Sequence, residues 1–500
     1  MMKRKNIFKS ITLMLSLAVM TTSCNDFLDV NDNPNDPSVS APRLTLPVAQ
    51  QSFASLNAIS SVNLGQYMVY NWTTPSNWSA NQNLIRYNVT TDFSSTLFET
   101  PYSSIFKNLQ YIEDYEDASG AVDYSVYDVI SATIKGFQYQ YLVDLYGDVP
   151  YSEANLRSLN TTPKYDDAET VYKANIENLT NAAILALDLP ENAENPESQD
   201  IIFGGDMDKW AAFANTIKLR MLIRLSNTGQ DTYINEQIAL INANGAGYIT
   251  EDVVANPGYS DDDGKQSPFY GSFVQAATGE QENRKDYTVA TDYTMDYLTN
   301  TNDPRMERLY EEAANGGYHG AEQSTILPGT GFTSNDLSKV GPGLLKSSEQ
   351  DQPIMMLSEA LFLQAEAAVR GYLPGGDAAA EVFFKSAIEA SFVFLGVDDA
   401  VAEAQTYYAQ PLTNIDWASS PDKIRAIITQ KWIALNGTSS LESWIELTRT
   451  GFPSGLPIPA ESGGVRPVRL LYPTSERTNN SNNVPAQVAA DAFTQNPFWK

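Results

Sequence analysis

The clearest fold signal in the chain lies in residues 354–396, which read IMMLSEALFLQAEAAVRGYLPGGDAAAEVFFKSAIEASFVFLG. Apolar side chains recur there every three or four positions, which predicts one buried helix face, formed by Leu357, Leu361, Ala365, Ala368 and Tyr372. Pro and Gly at 373–376 interrupt this helix. A second stripe with the same spacing consists of Phe384, Ile388, Phe392 and Leu395. Gly396 is a natural C-cap for the second helix, so the stretch predicts an antiparallel helix pair.

A second helix pair is predicted in residues 420–453, SPDKIRAIITQKWIALNGTSSLESWIELTRTGFP. Pro421 suits a first helical turn, and Ser439 followed by Glu442 predicts a capping box for the second helix. Further helices are predicted at 127–147, 168–189 and 208–226. Helix pairs of this size, with small residues on their faces, predict an all-α fold built as a tetratricopeptide-like stack.

Long irregular segments separate the helix pairs, at about 65–105, 244–346 and 454–500. They are rich in Asn, Gly, Ser, Thr and Tyr, and long loops inside ordered domains are commonly functional. We therefore expect one domain at 45–500, with an irregular insertion at about 244–346 and the ligand surface on the loops.

The N-terminus predicts a bacterial lipoprotein. Four basic residues in MMKRKNIFKS precede the apolar run ITLMLSLAVM, which is too short to span a bilayer permanently. Small residues then lead to Cys24, the only cysteine in the chain, in a pattern that resembles a lipobox, with Thr21 where Leu is usual. We expect a signal peptide at 1–23, acylation of Cys24 and a tether at 24–44. The alternative is ordinary secretion with an incidental Cys24.

Charge and composition exclude several classes of function. The formal net charge is −29, and an acidic chain repels nucleic acid. With one cysteine and one histidine (His319), the chain cannot form a zinc site of several Cys and His ligands, and a Cys–His dyad would use both residues. The sequence predicts no catalytic residue and no cofactor.

Six segments in order along the chain resemble the SusD/RagB family of surface nutrient-binding lipoproteins. They are FLDVNDNPNDPS (27–38), YGDVPYSEA (146–154), KWAAFANTIKLRMLIRLS (209–226), EALFLQAEAAVRGY (359–372), QKWIALNGTSSLESWIELTRTGFP (430–453) and RPVRLLYPTSERTNNSNN (466–483). The last carries Arg469, Tyr472, Pro473, Glu476 and Asn479, which match the family's pattern there. The resemblance implies an all-α tetratricopeptide-like fold without enzymatic activity, anchored at the outer membrane and exposed at the cell surface. It also implies a SusC-like TonB-dependent transporter as partner and oligosaccharides, or in some members peptides, as ligands.

The first candidate for the ligand site is residues 70–87, YNWTTPSNWSANQNLIRY. Sugar rings have apolar C–H faces edged by hydroxyls, so a glycan site needs aromatic platforms with amides or arginine beside them. Side chains of these kinds are Tyr70, Trp72, Trp78, Tyr87, Asn81 and Arg86. Alternatively, Trp72 and Trp78 only fasten the loop to the body, while Trp210, Trp432 and Trp444 lie at helical spacing and are expected in the core.

The second candidate combines residues 258–273 with 281–298. Asp261, Asp262, Asp263 and Gly264 are similar to a calcium loop, but they lack the alternating acids and the distal Glu of an EF-hand, so a solvated acidic loop is expected. Glycan capture is thus the leading hypothesis and peptide capture the alternative. A helical adaptor without a ligand, or a glycoside hydrolase with two unmarked carboxylates, remains less favoured.

Overall fold

The computed structural model describes most of the chain after the predicted tether, namely residues 40–117, 119–274, 280, 282–323 and 332–500. The predicted signal peptide (1–23), Cys24 and the tether up to residue 39 lie outside the described residues. The first helix begins at Pro42, inside the predicted 24–44 tether, because a proline is readily accommodated at the first helical position. No helix of the described part combines the length and the apolar character needed to cross a membrane.

The described part is predominantly helical, which confirms the predicted all-α class. Its α-helices are α1 Pro42–Leu56, α2 Val62–Met68, α3 Gln82–Ile85, α4 Thr96–Thr100, α5 Lys107–Glu113, α6 Ser125–Tyr146, α7 Ala168–Leu187, α8 Met207–Arg224, α9 Asp231–Asn244, α10 Pro268–Phe273, α11 Arg284–Tyr287, α12 Asp292–Asn300, α13 Met306–Leu309, α14 Leu357–Val369, α15 Gly376–Leu395, α16 Ala400–Tyr408, α17 Lys423–Ala434, α18 Ser440–Thr450, α19 Thr474–Asn479 and α20 Asp491–Thr494. Shorter π- or 3₁₀-helical segments are Asn57–Ser61, Pro101–Phe106, Arg157–Leu159, Glu197–Gln199, Leu225–Asn227 and Ala460–Ser462.

The first predicted helix pair is confirmed as α14 and α15, which pack against each other. Gly396 ends α15 in the left-handed conformation, with φ of 69°, and its N–H group bonds to the last turn of the helix. Phe362 and Phe384 meet across the interface with their ring centres 6.0 Å apart. The second predicted stripe therefore meets α14 through Phe362, which the first predicted stripe did not include, while Leu357 and Leu361 of that stripe are only partly buried.

The second predicted pair is present as α17 and α18, but its caps differ from the prediction. Helix α17 begins at Lys423, so Pro421 lies before the N-cap and not in the first helical turn as predicted. Asp422 is the N-cap, because its carboxylate accepts a bond from the N–H group of Arg425 at 3.0 Å. The predicted capping box of Ser439 and Glu442 is wrong, since Ser439 makes no side-chain cap. Glu442 is instead fully buried and accepts two bonds from Arg224, and a charged pair of this kind is stronger than a bond to a backbone N–H group.

The three remaining predicted helices appear as α6, α7 and α8, which pack in series, and α8 also contacts α14. Carboxylate N-caps start two of them, as Asp167 bonds the N–H group of Thr170 at 2.9 Å and Asp206 that of Lys209 at 3.2 Å. Trp210, Trp432 and Trp444 are buried, as predicted from their helical spacing.

A cluster of charged side chains lies buried where these helices meet. We call it the buried ion cluster, and its members are Arg220, Arg224, Lys431, Arg449, Asp144, Glu359, Glu366, Glu442 and Glu446. All nine side chains are almost inaccessible to solvent. Buried charges are tolerated only when they are paired, so the cluster ties α6, α8, α14, α17 and α18 to one arrangement.

Short strands fasten the irregular segments to one another. Strand β1 (Trp72–Thr73) pairs antiparallel with β5 (Val289–Ala290), so the loop after α2 is joined to the insertion. Strands β2 (Val149–Pro150) and β3 (Tyr165–Asp166) form a second pair, and β4 (Val253–Ala255) and β6 (Gln352–Met355) a third. One hydrophobic core cluster runs from Leu46 to Trp499.

Candidate ligand-binding surface

Three of the predicted site residues, Tyr70, Trp72 and Tyr87, are buried and cannot serve as exposed platforms for a sugar ring. The sequence composition of residues 70–87 favours a loop, but it does not show what the loop contacts. The Trp72 ring packs edge-on against Phe273, with ring centres 5.5 Å apart, and its backbone belongs to β1. The prediction that Tyr70, Trp72 and Tyr87 are exposed platforms is therefore wrong, because these rings belong to the buried core beneath the loop surface.

Residues 69–72 are held in the interior because their backbone carbonyls bond to side chains from distant parts of the chain. The carbonyl of Val69 accepts a bond from the indole of Trp432, and that of Asn71 accepts one from the hydroxyl of Tyr310. The carbonyl of Trp72 accepts a bond from Gln323 at 2.7 Å. Buried backbone groups need partners, and these partners come from helices and loops far along the chain.

Tyr87 is fixed from the other side by the C-terminal segment. Its hydroxyl donates to the carbonyl of Tyr67 at 3.2 Å and accepts a bond from Arg466 at 2.8 Å. Burial raises the pKa of Tyr87 to about 12, although the Arg466 guanidinium partly opposes the rise. Tyr87 therefore stays neutral and structural at physiological pH.

Trp78 is the predicted aromatic residue that does reach the surface, where it is half-buried. Its ring lies 5.7 Å from that of Tyr287, at an angle of 57°, and Tyr287 is also half-buried. The indole N–H group of Trp78 donates to Ser334 Oγ at 2.8 Å, which holds the ring in place. We call Trp78 and Tyr287 the aromatic pair.

The aromatic pair brings the two predicted candidate regions together. Trp78 comes from residues 70–87 and Tyr287 from residues 281–298, and the β1–β5 strands join the same two segments. Ser334 links them further, since its N–H group bonds to Asn77 and its hydroxyl donates to the carbonyl of Asp286 at 2.6 Å. Nothing in the sequence marks Tyr287 or Ser334 as neighbours of Trp78, because they lie more than two hundred residues away.

Polar side chains of residues 77–86 lie on the same loop as Trp78. Asn77 and Asn83 are exposed, and Asn81 is half-buried with its amide donating to the hydroxyl of Tyr67 at 2.7 Å. Arg86 is half-buried and donates to Gln82 at 2.8 Å, which among the described residues leaves further N–H groups of its guanidinium for a ligand. Asn81 and Arg86 are thus compatible with the predicted polar rim.

The acidic loop of the second candidate forms no marked cation site. Asp261, Asp262 and Asp263 are exposed, and Asp262 pairs with Lys265 at 3.2 Å, which lowers the pKa of its carboxyl. Within the described residues, no group of three or more His, Cys, Asp or Glu side chains could hold a metal ion.

The motif at 466–483 has a structural role. Arg469 donates to the carbonyl of Tyr146, and the hydroxyl of Tyr472 donates to that of Asp148 at 2.8 Å. Glu476 accepts a bond from Tyr165 at 2.8 Å. These hydrogen bonds attach the C-terminal segment to the loop that contains YGDVPYSEA, so two of the motifs quoted above contact each other in the fold.

Comparison with known proteins identifies the family. The SusD-like family model described as "starch-binding associating with outer membrane" matches residues 34–473. No curated protein matches the chain.

Solved structures share the fold at low sequence identity. A chitin-binding protein is 24% identical with a TM-score of 0.72, covering 92% of this chain and 98% of its own. A SusD homologue from Bacteroides fragilis is 22% identical with a TM-score of 0.72, covering 92% and 99%. A chitin-binding SusD homologue from Flavobacterium johnsoniae is 20% identical with a TM-score of 0.69, covering 88% and 94%. The match over most of the sequence, on a fold shared with SusD homologues, shows that the chain belongs to the SusD-like family.

Proposed function

We propose that this protein captures a glycan at the outer surface of the outer membrane and passes it to a partner TonB-dependent transporter. The observation that carries the proposal is the half-exposed aromatic pair of Trp78 and Tyr287 on a SusD-like fold, with amide and guanidinium side chains on the same segment, 77–86, as Trp78. The family's description as starch-binding and the chitin-binding relatives support a saccharide as the ligand.

The geometry suits a sugar ring in three respects. The ring of Trp78 offers an apolar face for the C–H groups of a sugar, and its fixed N–H group limits the entropy lost on binding. Asn77, Asn83 and Arg86 supply amide and N–H groups for hydroxyls. Tyr287 extends the apolar area, so the platform suits a chain of sugars better than a small charged ligand.

The proposed anchor is acylation of Cys24 after cleavage of residues 1–23. Two or more acyl chains give stable anchoring, at about 0.8 kcal/mol per buried CH₂ group. A tether from Cys24 to the start of α1 at Pro42 spans at most about 60 Å when fully extended. The body could therefore move over a transporter without leaving the membrane surface.

The test is electrophoresis of the soluble protein in native gels cast with separate polysaccharides, including starch and soluble chitin derivatives. We expect wild type to be retarded by one of them and Trp78→Ala to lose about tenfold in affinity, because apolar ring area is no longer buried on the sugar. Tyr408→Ala is the matched control, since Tyr408 is a half-buried aromatic residue on α16.

Retardation that Trp78→Ala leaves unchanged would refute the role of the aromatic pair. Absence of retardation by every polysaccharide would refute glycan capture, and binding of oligopeptides by the same variants would then support the peptide alternative.

A further inference from the structure

A second cleft lies between α5, α6, α7 and the loop after β2, in a different part of the fold from the aromatic pair. Its volume is about 480 Å³, within the usual range of about 300–1,000 Å³ for ligand sites. Its wall includes Tyr139, Tyr151, Asn155 and Asn175. The SusD-like motifs quoted above do not account for this combination of residues.

Asn175 is the most informative side chain in the cleft. It is 1% exposed, yet its Nδ2 group has no hydrogen-bond partner among the described residues. A buried donor without a partner costs about 1–3 kcal/mol, so such groups are rare unless something else occupies them. Asn175 therefore offers a free, desolvated donor at the cleft wall.

Asn155 offers the complementary group. Its Oδ1 atom is buried without a partner among the described residues, while its Nδ2 group donates to the carbonyl of Tyr102 at 2.8 Å. That bond fixes the amide, so its free acceptor has a defined direction. The cleft wall thus carries one unused donor and one unused acceptor, and a hydroxyl group can satisfy either.

Aromatic rings form the apolar part of the same wall. Tyr139 stacks on Phe106, with ring centres 4.3 Å apart, and the Tyr151 ring meets Tyr139 edge-on at 4.8 Å. Tyr151 is half-buried and its hydroxyl accepts a bond from Asn178 at 2.8 Å. The ring of Tyr151 is therefore held in place with part of its surface accessible.

The charged groups of the cleft favour a neutral ligand. Glu113 and Lys135 pair with each other at 2.6 Å, so neither is free to bind an ion of opposite charge. Asp128 is exposed as a whole, but its carboxyl group is partly desolvated, and this effect, together with the nearby charge of Glu113, raises its pKa to about 6. An aromatic wall with two unpartnered amide groups, beside a paired Glu113 and Lys135, is the chemistry that recognises a polyhydroxylated ring.

We propose that this cleft is a second saccharide site, which holds one or two sugar units through Asn155, Asn175 and the Tyr151 ring. The proposal stands on the cleft's own geometry and does not require the aromatic pair to bind glycan. A protein with two such sites would hold a long glycan at two points, which increases its effective affinity.

The test compares Asn175→Leu with wild type by saturation-transfer NMR, using glucose, maltose, N-acetylglucosamine and chitobiose as probes. Leucine has the same number and branching of side-chain heavy atoms as asparagine and removes the unpartnered amide, so the variant should unfold at the same or a higher temperature than wild type. We expect at least one probe to bind wild type and to lose about fivefold or more in affinity in the variant. Asn181→Leu, an exposed position on the same helix α7, is the matched control.

The two saccharide sites can be separated in the same experiment. Binding that Asn175→Leu weakens and Trp78→Ala leaves intact supports the second site, whether or not the aromatic pair binds glycan. If no probe binds wild type, or if Asn175→Leu binds every probe as tightly as wild type, the proposal is wrong. A large fall in the unfolding temperature of Asn175→Leu would also contradict it, because the amide would then have a structural role.

Discussion

Replacing Glu446 by glutamine removes one negative charge from the buried ion cluster and preserves the shape of the side chain. Glu446 accepts bonds from Arg449 at 2.8 Å and from Lys431 at 3.1 Å, and it lies 3.1 Å from Arg224. Burial alone raises the pKa of Glu446, but Arg449, Lys431 and Arg224 together hold it well below its usual range. The carboxylate is therefore needed in its charged form.

The magnitude follows from the loss of one partner in a buried charge network, which costs about 3–5 kcal/mol. Unfolding a body of about 460 residues has an entropy of about 1 kcal/mol/K near the midpoint, so this cost lowers the unfolding temperature by about 3–5 °C. A carboxyl with a depressed pKa stabilises the fold above pH 4.5 and loses that effect as the pH falls. The difference between wild type and Glu446→Gln should therefore be largest at neutral pH and shrink in acid.

Asp144→Asn, in the same cluster, should act in the opposite direction. Burial raises the pKa of Asp144 to about 6, although Arg224 opposes the rise. A raised pKa means that the folded state favours the protonated form of Asp144. Protonated Asp144 therefore stabilises the fold fully below pH 3.8, and this contribution is lost as the pH rises through 6. Asparagine mimics the protonated form and can still accept the bond from Trp499, so above pH 6 it should leave the stability of the fold unchanged or increase it.

The assay measures the unfolding temperature of wild type and of both variants by circular dichroism, at pH values between 4 and 8 and at constant ionic strength. The expected result at pH 7.5 is a lower temperature for Glu446→Gln and an equal or higher one for Asp144→Asn. Equal destabilisation by both variants would refute the reasoning, because it would show that shape, and not charge, decides the stability of the cluster.

Three further predictions concern other parts of the molecule. Burial lowers the pKa of Lys218 to about 8, and among the described residues its ammonium group bonds only Thr180, at 2.6 Å. Lys218→Met should therefore raise the unfolding temperature at pH 7, and this gain over wild type should disappear as the pH approaches 10.5. Gly65→Ala should lower the unfolding temperature by several degrees, because a Cβ atom there would lie 2.2 Å from the backbone of Ser440; Gly437→Ala is less informative, since its neighbour is the movable side chain of Leu344. Cys24→Ala should abolish acylation and move the protein from the membrane fraction to the soluble fraction, whereas equal membrane association of the variant would contradict the lipoprotein assignment.

The helices could be predicted well from the sequence because their signals are local. Apolar spacing, a proline–glycine break and a terminal glycine placed α14 and α15 to within a few residues. The family motifs added the order of these elements along the chain. All of this information lies within stretches of about forty residues.

The candidate site could be predicted only in part, because its burial depends on distant partners. The loop composition of residues 70–87 suggested exposure, but the carbonyls of residues 69–72 bond to Trp432, Tyr310 and Gln323, more than two hundred residues away. Glu442 was misassigned for the same reason, since Arg224 lies 218 residues from it. Residue type alone does not show which groups a long-range fold brings together.

The arrangement of the aromatic pair above a buried framework has an evolutionary consequence. Tyr70, Trp72 and Tyr87 carry the stability of the loop, so changes there are costly to the whole protein. Exposed residues of the rim such as Asn83 contribute little to that stability, because surface changes usually alter it by less than about 0.5 kcal/mol. Mutation can therefore exchange the rim residues freely while the framework persists, so that one scaffold can acquire new ligands in separate lineages without passing through unfolded intermediates.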